Sequence, residues 1–188
     1  MEKVSIGTNF FIPMPVILLG TEVNGRANFM TVGWCARANA SPPMILCGIG
    51  NRHYTPEGIE ATRTFSINIP SAALLAKTDY CGLVSGKTVD KSEVFDVFYG
   101  TLGTAPMIRE CPVTLECQLV QTVPLPTNTV FIGEITGAYA DPAVIKDGKP
   151  DFALLDPLLL TMPDNTYRSL GEIRGKAWHD GLTLKKKE

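Results

Sequence analysis

The chain has 188 residues, 45% of them hydrophobic and 19% charged, with a formal net charge of −2. That length buries a core without disulfide or metal support, and so small a net charge gives no reason to expect nucleic acid or an anionic membrane as partner. The five cysteines, Cys35, Cys47, Cys81, Cys111 and Cys117, form no CxxC pair, and two histidines are too few for a rich zinc site. They read as small buried hydrophobes of a reducing compartment rather than a redox dithiol, so a cytoplasmic location is expected.

Pro13 and Pro15 interrupt the apolar run from Phe10 to Leu19, which therefore does not read as a signal-peptide core. No run approaches the ~20 apolar residues that span a bilayer. Val16–Val23 reads instead as a strand ending at Asn24-Gly25, a strong hairpin signal because a type I′ turn needs two residues that accept positive φ. The turn leads into a second strand, Arg26–Trp34, and Pro42-Pro43 precedes a third, Met44–Gly48.

Thr55-Pro56-Glu57 opens a helix: threonine suits the cap, proline the first helical position and glutamate the positive end of the dipole. In the strand Thr64–Ile69, apolar Phe65, Ile67 and Ile69 alternate with polar Ser66 and Asn68. Ser71 opens a short helix over Ala72–Lys77, and residues 82–112 read as a long excursion with little regular structure. Strands return at Val113–Val123 and Val130–Tyr139. Asp147-Gly148 marks a tight turn, Leu158–Thr161 closes the sheet, and Lys185-Lys186-Lys187-Glu188 reads as a solvated tail.

Many short strands with few short helices predict an antiparallel barrel rather than a parallel sheet. No GxGxxG follows a strand. Ser85-Gly86-Lys87-Thr88 is no P-loop, since Cys81 stands where the first glycine is required.

On the second strand Asn28, Met30, Val32 and Trp34 share one side, and Phe29, Thr31 and Gly33 the other. Such a strand either carries one aromatic core residue or offers backbone groups near Met30 and Thr31 to a flat ring, with Gly33 and Trp34 as an apolar wall. Arg52, His53 and Thr55 precede a helix start, where free amides, the dipole and a guanidinium make an anion site; the alternative is an ordinary capped helix beside an exposed arginine. Lys91 offers a second positive group. Asn68 is either a satisfied sheet amide or a cofactor contact.

Taken in order, Pro13-x-Pro15-Val16, Asn28-x-Met30-Thr31, Pro42-Pro43, Arg52-His53-Tyr54-Thr55, Phe65-x-Ile67-Asn68-Ile69-Pro70, Ser85-Gly86, Asp90-Lys91, Ala105-Pro106, Glu110-Cys111-Pro112, Leu115-Glu116-Cys117 and Ile132-Gly133-Glu134 resemble the FMN-binding split-barrel flavin reductases and flavoredoxins. The likeness runs from about Pro13 to Gly171. It implies a mainly β fold, a Greek-key split barrel with a few short peripheral helices, as a single FMN-binding domain over residues 1–188. It implies a homodimer with FMN near the interface. Carried over residue by residue, Asn28, Met30, Thr31 and Trp34 would lie by the ring, with Val32, Gly33 and Gly48 also among the cofactor-binding residues. Arg52, His53 and Thr55 would serve the phosphate, and Asn68, Ser85, Gly86 and Lys91 would complete the site. Many relatives carry a histidine just before the strand matching Val130–Tyr139, where this chain has Asn128-Thr129.

The activity so implied is transfer of electrons from NADH or NADPH through FMN to a small-molecule or redox-protein acceptor. The alternative is a flavoredoxin-type carrier that trades electrons with protein partners. The cofactor would supply the chemistry and the protein its position and electrostatics.

Overall fold

Asn24 and Gly25 both take positive φ, 54° and 74°, as a type I′ turn requires. They join β1 (Ile17–Val23) to β2 (Arg26–Val32) in antiparallel register from Ile17↔Val32 to Val23↔Arg26. The computed structural model, which describes residues 2–185, continues with β3 (Cys35–Asn39), β4 (Met44–Gly50), helix α1 (Thr55–Thr62) and β5 (Thr64–Ile69). Helix α2 (Leu75–Leu83), β6 (Val113–Pro124) and β7 (Asn128–Ala140) follow. The seven strands form one antiparallel sheet in the order β2-β1-β5-β6-β7-β4-β3.

The two edges of that sheet, β2 and β3, are consecutive in the chain and separated only by Gly33-Trp34. Gly48 N in β4 donates to Trp34 O at 2.8 Å. The sheet therefore curls back on itself, with its seam at Gly33-Trp34, and the mainly β split barrel expected from the sequence is the fold.

Inside the barrel lie Ile17, Leu19, Val32, Cys47, Ile49, Phe65, Ile67, Cys117, Leu119 and Phe131, joined by Ile59 of α1. Burying each large apolar side chain contributes roughly 1.5–3 kcal/mol. Gly133 is required here: a Cβ would lie 2.5 Å from Phe65 Cζ. A second apolar layer covers the opposite face of β1 and β2, where Leu18 and Phe29 pack against Cys81, Phe95, Ile108 and Cys111. Buried Glu116 holds the turn at residues 101–102 against the sheet, its carboxylate accepting from Thr101 N at 3.1 Å, Leu102 N at 3.0 Å and Tyr139 OH at 2.8 Å. Burial alone would raise its pKa; the Leu102 amide, the Tyr139 hydroxyl and the Thr101 groups outweigh that and hold it below the ordinary value of 4.5.

Several boundaries move. The second strand stops at Val32, because Gly33-Trp34 turns the chain into β3, a strand absent from the sequence reading. The helix expected over Ala72–Lys77 is a 3₁₀ turn, Ala72–Leu74, followed by α2, which runs past Lys77 to Leu83. The excursion holds a short helical turn, Lys91–Val94, and the pair Val97–Phe98/Met107–Ile108. Leu159–Thr161 does not close the main sheet. It pairs with Met14–Pro15 and Thr166–Arg168 in a separate three-stranded sheet. Of the expected tail, residues 186–188 lie outside the described residues.

Candidate functional site

As the edge strand next to β1, β2 leaves alternate backbone amides and carbonyls facing away from the sheet. Helix α2 stands beside that edge, tied to it by the Thr31 hydroxyl, which donates to Thr78 O. Between them opens a cleft of about 480 Å³, lined by Met30 and Thr31 on one side and by residues 81–86 and Lys91 on the other. Arg52, His53, Tyr54 and Thr55 form its mouth.

The mouth is electropositive for a structural reason. Thr55 is the first residue of α1 and does not cap it; Tyr54 stands at the cap position and makes no side-chain cap bond. Thr55 Oγ1 instead accepts from Asn28 Nδ2 at 3.1 Å. The positive end of α1 thus reaches the cleft without a capping side chain, next to exposed Arg52, which has no ion pair among the described residues. Glu57 in the first turn is drawn to Lys87 at 3.2 Å, which pins the loop after α2 over the helix end.

In that loop Gly86 abuts the site so closely that a Cβ would overlap Asn28 Oδ1 and lie 3.0 Å from Tyr54 Cδ1. Asn28 itself is buried behind the cleft wall, and its Oδ1 has no hydrogen-bond partner. Ser85 Oγ accepts from Lys87 N at 3.3 Å, shaping the same turn. Because the turn follows a helix and not a strand, it is no P-loop.

Lys91 is 4% exposed, and its Nζ donates to Cys81 O and Val84 O, both at 3.1 Å. It closes the C-terminal end of α2 and keeps one of its three donors for the cleft floor. Burial lowers its pKa, opposed by Cys81 nearby.

Met30, Thr31 and His53 also border a second hollow of about 270 Å³, which continues to Val32, Gly33, Trp34, Gly48, Gly50 and Asn128. Trp34 is 47% exposed and lies over Gly48, whose Cβ would fall 3.4 Å from Trp34 Cε3. Phe11 stacks on the indole at 6.2 Å between centroids. The side chain of Val32 belongs to the barrel core, so only its backbone faces the hollow. The His53 ring covers Gly50, the register partner of Asn128, with Cδ2 3.0 Å from the glycine's Cβ position. A histidine therefore does stand beside Asn128, supplied by the α1 approach instead of the strand.

Fourteen residues were singled out from the sequence, and these two adjoining hollows gather all but Asn28, which stands behind the wall, and Asn68. Asn68 is the correction. It is wholly buried between β5 and the excursion, donating to Leu18 O and Ser66 Oγ at 2.9 Å and accepting from Ile108 N at 2.8 Å. With these partners it locks two layers together and reaches neither hollow. The sequence reading missed Tyr54 and the Cys81–Val84 wall, because α2 was ended too early. The buried spacing of Thr78 and Cys81 was the available signal for its true length.

An open-edged split barrel with an elongated, electropositive-mouthed cleft along β2 defines a class, and the match is direct: the chain belongs to the flavin reductase like domain family, matched over residues 9–170. Within that class it is similar to the flavoredoxin of Methanosarcina acetivorans, 53% identical with a TM-score of 0.96, covering 98% of this chain and 100% of that one. The flavoredoxin of Desulfovibrio vulgaris (Miyazaki F) is 30% identical with a TM-score of 0.89, covering 96% and 100%. An uncharacterized protein of Archaeoglobus fulgidus is 31% identical over 144 residues, 76% of this chain and 80% of its own length. No helix among the described residues is long and apolar enough to cross a membrane, and no cluster of three or more His, Cys, Asp or Glu among them is placed to hold a metal ion.

Proposed function

We propose that the chain binds FMN along β2 and works as an FMN-dependent oxidoreductase. The observation that carries this reading is the continuity of an uncapped helix end and Arg52 with a long edge-strand hollow ending at Trp34. A phosphate fits the first part, a flat ring the second. The fit is supported by the loop cradle, where Ser85, Gly86 and Lys91 line the same cleft as Arg52 and Thr55. FAD is not favoured, since no second nucleotide motif accompanies the site.

Bound FMN would supply two-electron chemistry, and the residues around it position and tune it. Arg52 and the α1 end would hold the phosphate, together with Ser85 and Gly86 of the loop after α2. Lys91 sets a positive charge in the floor between α2 and β2. The free backbone groups of Met30–Val32 would hydrogen-bond the ring, and Trp34 and Gly48 would give it apolar contact.

NADH or NADPH is the proposed electron donor. The similarity to a flavoredoxin at 53% identity favours a second reading, an electron carrier served by a protein partner. Extraction and chromatography of the flavin from purified protein test the cofactor: only FAD, or a colourless protein that FMN does not reconstitute, refutes the site. Anaerobic mixing with each nicotinamide separates the two readings. Bleaching of the flavin supports the oxidoreductase, and its absence with both donors supports the carrier.

A homodimer belongs to the same proposal. The apolar side chains of Ile6, Phe10, Ile12 and Ile173 are exposed on one chain, and an isologous contact would cover them. Light scattering of the holoprotein should give twice the 20.4 kDa chain mass. A fully loaded monomer at micromolar concentration would refute it.

A further inference from the structure

Two of the five cysteines meet although nothing in their spacing announces it. Cys35 opens β3, Cys47 lies in β4, and the ladder sets them directly opposite one another. The adjacent pair Trp34/Gly48 carries the hydrogen bond from Gly48 N to Trp34 O. Cys35/Cys47 is therefore a non-hydrogen-bonded pair, the kind whose Cα atoms approach to about 4.5 Å and whose side chains are closest. That separation lies inside the range of about 4.4–6.8 Å that disulfides bridge. The Cys47 thiol already donates to Cys35 Sγ at 3.5 Å.

The two thiols are unequal. Cys47 is wholly buried. Cys35 is half-buried and shares the inner face of the ladder with Cys47, where it packs against the barrel core. The bond to Cys35, together with burial, pushes the Cys47 thiol well above its ordinary pKa. It stays protonated and directs its S–H at the sulfur of its half-buried partner.

We propose that Cys35 and Cys47 form a thiol–disulfide site, with half-buried Cys35 attacking small disulfides and buried Cys47 resolving the adduct. In the first step the Cys35 thiolate bonds to one sulfur of RSSR and the other leaves as RS⁻. Cys47 then bonds to the Cys35 sulfur and expels the second RS⁻. Its proton and that of Cys35 end on the two leaving thiols. One reagent disulfide is reduced by two electrons to two RSH, and one protein disulfide forms. The pair owes nothing to the flavin reading, and its test counts thiols.

The full-length protein is incubated with bis(2-hydroxyethyl) disulfide, denatured, and titrated for free thiols. Two of the five thiols should disappear, and tryptic cleavage after Arg26, Arg37 and Arg52 should leave peptides 27–37 and 38–52 joined. Cys35→Ser should keep its remaining thiols unreacted over the same time. This half-buried position tolerates serine, so the test does not depend on altering the core Cys47. Retention of all five thiols, a stable mixed disulfide left on Cys35, or a link from either residue to Cys117 would each overturn the assignment.

Discussion

Replacing Gly86 by alanine places one methyl group where the loop after α2 touches the end of α1. Gly86 is not among the residues with positive φ, so alanine meets no backbone strain and the whole effect comes from contact. The methyl would overlap Asn28 Oδ1 and sit 3.0 Å from both Asn28 Cγ and Tyr54 Cδ1. Two relaxations are open. Either Asn28 turns and gives up its bond to Thr55 Oγ1, or the loop lifts off the mouth and strains the Lys87–Glu57 contact. Overpacking of this kind costs about 1–3 kcal/mol. Carried entirely by the bound state, that is about 5-fold to 150-fold in the Kd for FMN. Titration of FMN into apoprotein, followed by quenching of flavin fluorescence, reads this directly, and a thermal melt of the apoprotein gives the share taken by the fold. An unchanged Kd with an unchanged Tm would refute the closeness of Gly86 to Asn28 and with it the cradle.

Arg52→Ala should weaken FMN by about tenfold to a hundredfold, the worth of one charge-assisted contact of roughly 1.5–3 kcal/mol, and saturating FMN should restore activity. Trp34→Ala should leave reduction altered at saturation; rescue of Trp34→Ala but not of Arg52→Ala would reverse the two ends. Asn68→Ala strips partners from Leu18 O and Ile108 N, so apoprotein stability should fall by roughly 2–4 kcal/mol with FMN stoichiometry intact. Loss of FMN without a lower Tm would restore Asn68 to the site. Because the pKa of Glu116 is lowered on folding, its contribution is present above the ordinary 4.5 and is lost as pH falls through the folded value. The Tm gap between wild type and Glu116→Gln should therefore be large at neutral pH and shrink in acid; a gap that widens in acid contradicts the bonding described.

The sequence made the barrel legible where local chemistry and global fold agree. Asn24-Gly25 can take positive φ, and Phe65, Ile67 and Cys117 alternate toward one interior. It did not reveal β3, since Cys35–Asn39 has no β-branched residue and is largely exposed; it is a strand because β4 offers it a ladder. Asn68 misled for a related reason. A polar strand face looks the same in sequence whether it meets water, a ligand or the backbone of a covering loop, and here the loop won, with Ser66 donating to Pro106 O beside it. The cleft wall on α2 was hidden because Gly82 reads as a breaker inside the last turn of the helix.

The seam at Gly33-Trp34 has a consequence for traffic. From Val32 to Cys35 the chain makes three steps, a reach of about 11 Å at full extension. The two borders of the sheet are thus tethered at one end and cannot part there as free edges can. Opening is left to the other end, where the exposed Lys87–Glu57 pair holds the loop from Ser85 to Thr88 against α1. A bound molecule would enter and leave past Arg52 and Gly86, which line the cleft there.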